Sequence, residues 1–312
     1  MQFNKTMFDT ARSGSDRPAR PVDLTRWRYH FENGARDDVL KALAVYQNAD
    51  GGFGHALEAD CWNPNSSPMA SWVATEILFE LGIADKALPL ARRLLEYLDA
   101  ALNRDEGYWY GMLPSNNDYP HAPWWTYTDA VTLKAAWGYN PTIALAGFVL
   151  RFAESNASLR HATAVLAQKA VNAYMAGPLL DEIHEVACFI RFYEYCSQDN
   201  HFDLVDMSAF AAKLKEQVAY NVTPDITKWR TDYVCRPSSF IDSPHGQFYG
   251  AIAETAQFEA DLIIDSITEA GAWDPTWSWG AYPETWPVAR TWWQGGLALR
   301  YMQYLKNFGR IG

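Results

Sequence analysis

An all-α fold is what this sequence predicts, in the form of an α/α toroid built from helical hairpins. Three observations lead there. Four segments carry apolar residues on one face at helical spacing, four more are apolar nearly all round, and no useful length alternates as a half-buried strand does. One-faced helices cover a surface and all-round apolar helices are buried. The first kind therefore wraps the second, as an outer layer around an inner one.

The outer set, in chain order, starts with Ala84–Asn103, through Ala87, Ala91, Leu94, Leu98 and Ala101. It continues with Leu159–Met175 (Leu159, Ala162, Leu166, Ala170, Ala173), Leu204–Tyr220 (Met207, Phe210, Leu214, Val218) and Glu254–Ala270 (Phe258, Leu262, Ile267). The inner set is Ser66–Gly82, Asn140–Glu154, Leu179–Cys196 and Thr285–Leu305. Three of these open on a capping residue with proline close behind: Ser67-Pro68, Asn140-Pro141 and Thr285 before Pro287. Proline suits a first helical turn, where an N–H has no intrahelical partner, and a Ser, Asn or Thr oxygen can accept one of the orphan N–H groups. No linker interrupts the pattern, so residues 1–312 read as one domain. The connection Asn103–Tyr139 is too rich in Trp, Tyr and Pro to be a featureless linker, and connections of that length are commonly functional.

Lys and Arg number 26 against 37 Asp and Glu, a net charge of -11. That argues against nucleic acid as a partner, because phosphate binding needs a basic face. No run of about 18 apolar residues predicts a membrane span, and the N-terminus has no apolar stretch of the secretory kind. Cys61, Cys188, Cys196 and Cys235 lack C-x-x-C spacing. They read as small core residues in a reducing compartment, which makes the cytoplasm the expected location. Fourteen Trp, 17 Tyr and 15 Phe exceed what a core of this size needs, so some are expected to line a cavity.

The stretch YQNADGGFGHALEAD (Tyr46–Asp60) admits three readings. A dinucleotide loop needs a preceding strand, and Leu40–Tyr46 reads as helix. A metal site from His55, Glu58 and Asp60 has mixed ligands and no second histidine placed by a motif, so no metal is expected. A helix end needs glycines to reach positive φ and turn the chain, and this stretch supplies them. Gln47, Asp50, Gly51, Gly52, Phe53 and Gly54 match the Q-x-x-D-G-G-F-G element of prenyltransferase β subunits. They are also similar to the Q-x-x-x-G-x-W element of squalene–hopene cyclases. Degenerate copies follow at Arg104–Gly111, with Gly107 and Trp109, and at Glu269–Gly280, with Gly271 and Trp273. In its repeats and its helix alternation the chain resembles the terpenoid cyclase and protein prenyltransferase superfamily. The resemblance implies a toroid whose outer-to-inner turns carry the motif, and chemistry on an isoprenoid. The D-x-D-D acid of class II cyclases is absent, and Asp60-Cys61 and Asp232-x-x-Cys235 do not have the spacing of the prenyltransferase zinc ligands. No mechanism and no cofactor carries over.

In such a toroid the loops before the inner helices gather at one mouth. Glu58 and Asp60 suit a general acid/base pair, because close carboxylates repel and one of them then holds its proton. Asp242 and His245, flanking Ser243-Pro244, are the other catalytic candidates. Substrate binding is expected of His55, Trp124, Trp125, Asp181, His184, Trp286, Arg290 and Trp293. Aromatic faces stabilise cations by roughly 0.5–2 kcal/mol each and also stack on sugar rings. The acids read equally as helix caps, and Arg290 as an ion-pair partner for one of them. The expected ligand is a small molecule or an oligosaccharide in a central cavity, and three functions stay open. One is an enzyme acting on an isoprenoid or other hydrophobic substrate, with Glu58 or Asp60 as the acid. The second is a carbohydrate-active enzyme of the glycoside hydrolase or polysaccharide lyase type, on intracellular oligosaccharides. The third is a ligand-binding toroid without catalysis.

Overall fold

A computed structural model describes residues 1–16, 19–199 and 204–312. Among these residues the fold is all-α, with isolated bridges in place of strands. The helices are α1 (Lys5–Asp16), α2 (Pro21–Phe31), α3 (Arg36–Ala44), α4 (Pro68–Glu80), α5 (Pro89–Ala101), α6 (Ala130–Trp137), α7 (Thr142–Phe152), α8 (Ala157–Ala176), α9 (Ile183–Asp199), α10 (Met207–Asn221), α11 (Ala253–Asp265) and α12 (Trp286–Asn307). Each of the eight expected segments holds one helix; α1 to α3 and α6 are additional. The chain forms two compact units. One is continuous, Tyr46–Gln217; the other is split, from Met1–Val45 and Val218–Gly312.

In the continuous unit α7 is the centre, packed against α4, α5, α8 and α9. Its sequence, TIALAGFVLRF, has no polar face to offer water, and every residue except Arg151 is buried. Full burial of one such aliphatic or aromatic side chain contributes about 1.5–3 kcal/mol. α5 shows the other pattern. Leu90, Ala91, Leu94 and Leu98 are buried while Arg92, Arg93 and Glu96 face solvent. Arg191 of α9 makes a two-pronged bond to Glu76 of α4 (2.8–3.0 Å) and lies 3.7 Å over the Phe79 ring, which ties those two helices together.

The split unit is built from α1, α2, α3, α11 and α12, with α12 packed on α1, α2 and α11. Here the expected phase of one helix is off. α11 buries Ala256, Glu259, Ala260, Leu262, Ile263 and Ile264, and leaves Phe258 40% exposed. A glutamate holds the interior position because Arg236 and Ser238 meet its carboxylate there. The caps differ too. Ser67 accepts the Ala70 N–H (3.0 Å), but neither α7 nor α12 has a side-chain cap. Asn140 is buried instead, with its Oδ1 3.4 Å from the Cys188 thiol.

The three glycine–aromatic turns are fixed in related ways. Gln47 Nε2 donates to Gly51 O (2.9 Å) and to Leu90 O of α5 (3.0 Å). Asp50 Oδ1 accepts from Gly52 N and Ser66 Oγ. Gly51 sits at φ +92, and a Cβ there would lie 2.0 Å from the carbonyl oxygen of Arg93 in α5. Gly271, in the last copy, sits at φ +80, and its Cβ would lie 2.1 Å from Thr10 O of α1. The aromatic of each degenerate copy is buried, and its indole N–H donates to the last turn of the preceding helix. Trp109 reaches Leu98 O (2.8 Å) and Trp273 reaches Ile263 O (2.9 Å). Each of these carbonyls also accepts a backbone N–H, from Leu102 and from Ser266, so the indole adds a second bond that ties the motif to the helix end.

Candidate functional site

In the continuous unit two loops far apart in sequence pair edge to edge. Trp62 N donates to Pro120 O (2.9 Å) and Ala122 N to Asp60 O (2.8 Å). Cys61 and His121 therefore oppose each other between the two bonds, with side chains on the same face. Below them lies an amide pair: Asn63 Nδ2 donates to Asn116 Oδ1 and Ser115 Oγ (2.9 Å each), and Asn116 Nδ2 to Trp125 O (3.2 Å). Asp60, Asn63, Asn116 and His121 are all buried. Burying such groups is tolerated because they are bonded to one another and to backbone.

Glu58 is half-buried, and its Oε1 accepts the Asp60 N–H (3.1 Å). His55 is exposed at the end of the glycine turn and donates from Nε2 to Asn48 Oδ1 (2.8 Å). Trp124 is 38% exposed, whereas Trp125 is buried with its ring stacked on Trp137 at 5.1 Å. The Trp125 indole N–H is buried without a hydrogen-bond partner. His121 donates from Nδ1 to Tyr119 O (2.6 Å), which leaves Nε2 to pair with Thr126 Oγ1 (3.1 Å). Burial, with the Glu58 and Asp60 charges adding to it, pushes the Cys61 thiol up to about 12. A thiol held protonated is no nucleophile. His55, Glu58, Asp60, Trp124 and Trp125 are thus brought into one loop cluster.

The start of α9 lies next along the chain of contacts. Trp137, which stacks on Trp125, is followed by Gly138 and Tyr139, and Tyr139 N donates to Glu185 (2.8 Å). A Cβ on Gly138 would meet that carboxylate at 2.2 Å. Asp181 is exposed, and the His184 N–H is taken by Glu182 (2.8 Å). The buried acid is Glu185, one turn further on. Burial raises its pKa, the Tyr139 N–H works against that, and Glu182 adds to the rise. A carboxyl with a raised folded value keeps its proton longer folded than unfolded. Its share of stability is full below the ordinary value of 4.5 and is lost as pH climbs through the raised one. Glu185→Gln keeps an oxygen for Tyr139 and removes the charge. Its unfolding free energy should therefore gain on the wild type as pH rises above that ordinary value; urea titrations showing a constant gap would count against this.

Family models, curated proteins and solved structures give no match to this chain. Among the described residues no helix is long and apolar enough to cross a membrane, and no three His, Cys, Asp or Glu side chains are grouped to hold a metal ion.

The split unit holds the remaining candidates. Asp242 and His245 are exposed on a turn, where Ser243 Oγ accepts the His245 N–H and Asp242 O accepts from Asn307. Trp286 leans on Trp279 at 5.7 Å and Trp293 meets Trp277 edge-on at 5.0 Å. Arg290 pairs with Asp274 (2.7 Å), and the same carboxylate oxygen accepts from Gln294 (2.7 Å). These three side chains line a cavity of about 870 Å³ together with Thr10, Ser13 and Glu269. The sequence reading missed Asp274 and Gln294, which a helix-face projection from Arg290 would have reached only for Gln294. It also missed Glu259, fully buried between Arg236 (3.5 Å) and Ser238, whose N and Oγ both donate to it (2.7 and 2.6 Å).

Proposed function

We propose that this chain is a carbohydrate-active enzyme of the glycoside hydrolase or polysaccharide lyase type, with Glu58 as the proton-transferring carboxyl. The observation that carries the proposal is the pairing of residues 60–62 with residues 120–122, which joins Glu58 and Asp60 to the Trp124–Trp125 turn. Sugars present hydroxyls at their edges and C–H groups on their faces. The half-exposed Glu58 carboxyl and the exposed Trp124 indole suit both. Glu58 is the half-exposed acid and can meet a ligand; Asp60 is buried and fixes the loop through its backbone.

An isoprenoid-handling enzyme on an α/α toroid of helical hairpins is the second reading. Its support is the recurrence of the glycine–aromatic turn at Gly51, Gly107 and Gly271, as the resemblance implies. The half-exposed Glu58 carboxyl beside Trp124 weighs against it, since an apolar chain would cover that carboxyl without pairing it. Four free thiols suit a reducing compartment, so a cytoplasmic setting belongs to the proposal.

The test is incubation with malto-, cello- and chito-oligosaccharides, followed by mass spectrometry of the products. Glu58→Gln should lower turnover by about 10²–10⁴-fold, the usual range for a lost general acid or base. Full turnover by Glu58→Gln, or recovery of a bound isoprenoid with no sugar turned over, would sink the proposal.

A further inference from the structure

We propose that the cavity of the split unit is a separate, non-catalytic binding site for a neutral saccharide. It does not depend on the role given to Glu58. It is an open groove of about 870 Å³, and most of its lining side chains are exposed.

The lining decides the class of ligand. Thr10 Oγ1 donates to Thr6 O and Ser13 Oγ to Asp9 O (2.9 Å each), so both hydroxyl protons are spent on backbone and only lone pairs are left for a guest. Asp274 uses one carboxylate oxygen for Arg290 and Gln294; its other oxygen takes no part in those two bonds. Donors come from Arg290 and from the Gln294 amide, each of which has N–H groups beyond the one it gives Asp274. The wall therefore offers acceptors and donors side by side, several acceptors to each donor. A hydroxyl group both gives and takes, so a ring of hydroxyls matches this wall. An apolar chain would leave those groups unpaired. An anion would meet Asp9, Glu269 and Asp274 with a single arginine already paired.

The backbone beneath the groove is closely packed. Gly14 and Gly271 bring α1 against the turn at residues 268–272 so closely that a Cβ on either would fall 2.1–2.5 Å from backbone oxygen. Arg290 and Gln294 lie four residues apart on α12, one above the other on the same face.

The experiment is photolabelling of the full chain with diazirine-bearing maltotriose, cellotriose and chitotriose, followed by peptide mapping. Adducts are expected on residues 6–14, 268–274 and 290–294, competed by the unlabelled sugar. Asp274→Asn and Gln294→Ala should each lower the competed labelling at least tenfold. Both positions are exposed or half-exposed, so circular dichroism should report folded variants. Three results would overturn the site: no competed adducts with any of the three sugars, adducts confined to other segments, or unchanged labelling in both folded variants. Loss of turnover in Glu58→Gln is read by a different assay, so this site and the catalytic proposal fail separately.

Discussion

Gly51→Ala should unfold about 6–12 °C below the wild type. Two costs combine. A left-handed backbone costs an L-residue about 1–2 kcal/mol, and forcing an atom into filled space costs about 1–3 kcal/mol. Here φ is +92 and the obstacle is the Arg93 carbonyl, 2.0 Å from the added carbon and itself part of α5. A loss of about 3 kcal/mol corresponds to about 2–4 °C per kcal/mol in a chain of this size. Gly82→Ala is the control: φ is +62, but nothing lies within 4 Å. It should show only the backbone cost, about 1–2 kcal/mol. Equal melting temperatures for the two variants would mean that the Gln47–Gly54 turn is not clamped to α5 as described.

Arg236→Met should cost about 3–5 kcal/mol at neutral pH, because it strands the Glu259 charge in the core. Glu259 already has a raised pKa, from burial, with Arg236 and Ser238 pulling the other way. Removing Arg236 raises it further. The sign follows from linkage. Stability tied to a raised carboxyl is complete below the ordinary value of 4.5 and is lost as pH rises through the folded one. The deficit of the variant should therefore shrink as pH falls from about 8 to about 5. Pairing the change with Glu259→Gln should recover much of the loss at neutral pH. Urea unfolding of the single and double variants at both pH values checks this; an equal loss at each pH would rule out a stranded charge.

The helices with one dominant pattern were legible in the sequence. α7 is apolar over almost its whole length, and α10 buries Phe210, Leu214 and Val218 as its spacing predicts. α11 was misphased because the period alone put Phe258 inside, whereas the interior place goes to a glutamate whose neutralising partners lie more than 20 residues earlier. α6 was hidden in the Asn103–Tyr139 connection because it buries no residue, so no core face marks it. The site was legible by residue type and not by partner. Glu58, Asp60, Trp124 and Trp125 could be named one by one. Their joining through Asn63, Asn116 and His121 rests on backbone pairing across some 60 residues, which no local spacing records. At α9 the acids near the helix start were visible, but which of them turns inward depends on Gly138 and Tyr139.

The division of the chain also has a timetable. Tyr46–Gln217 is one uninterrupted piece, so on the ribosome it has all its own partners once residue 217 emerges. Met1–Val45 is made before that piece and waits through its synthesis, since the rest of its unit, Val218–Gly312, is made after it. Through that interval Val22 and Trp27 of α2, both buried in the finished fold, have no α12 to cover them. Nascent chains stalled after residue 217 should be protease-resistant over the middle segment and cleaved within the first 45 residues. Of the two units, the split one is then the one left open to chaperones while the chain is being made.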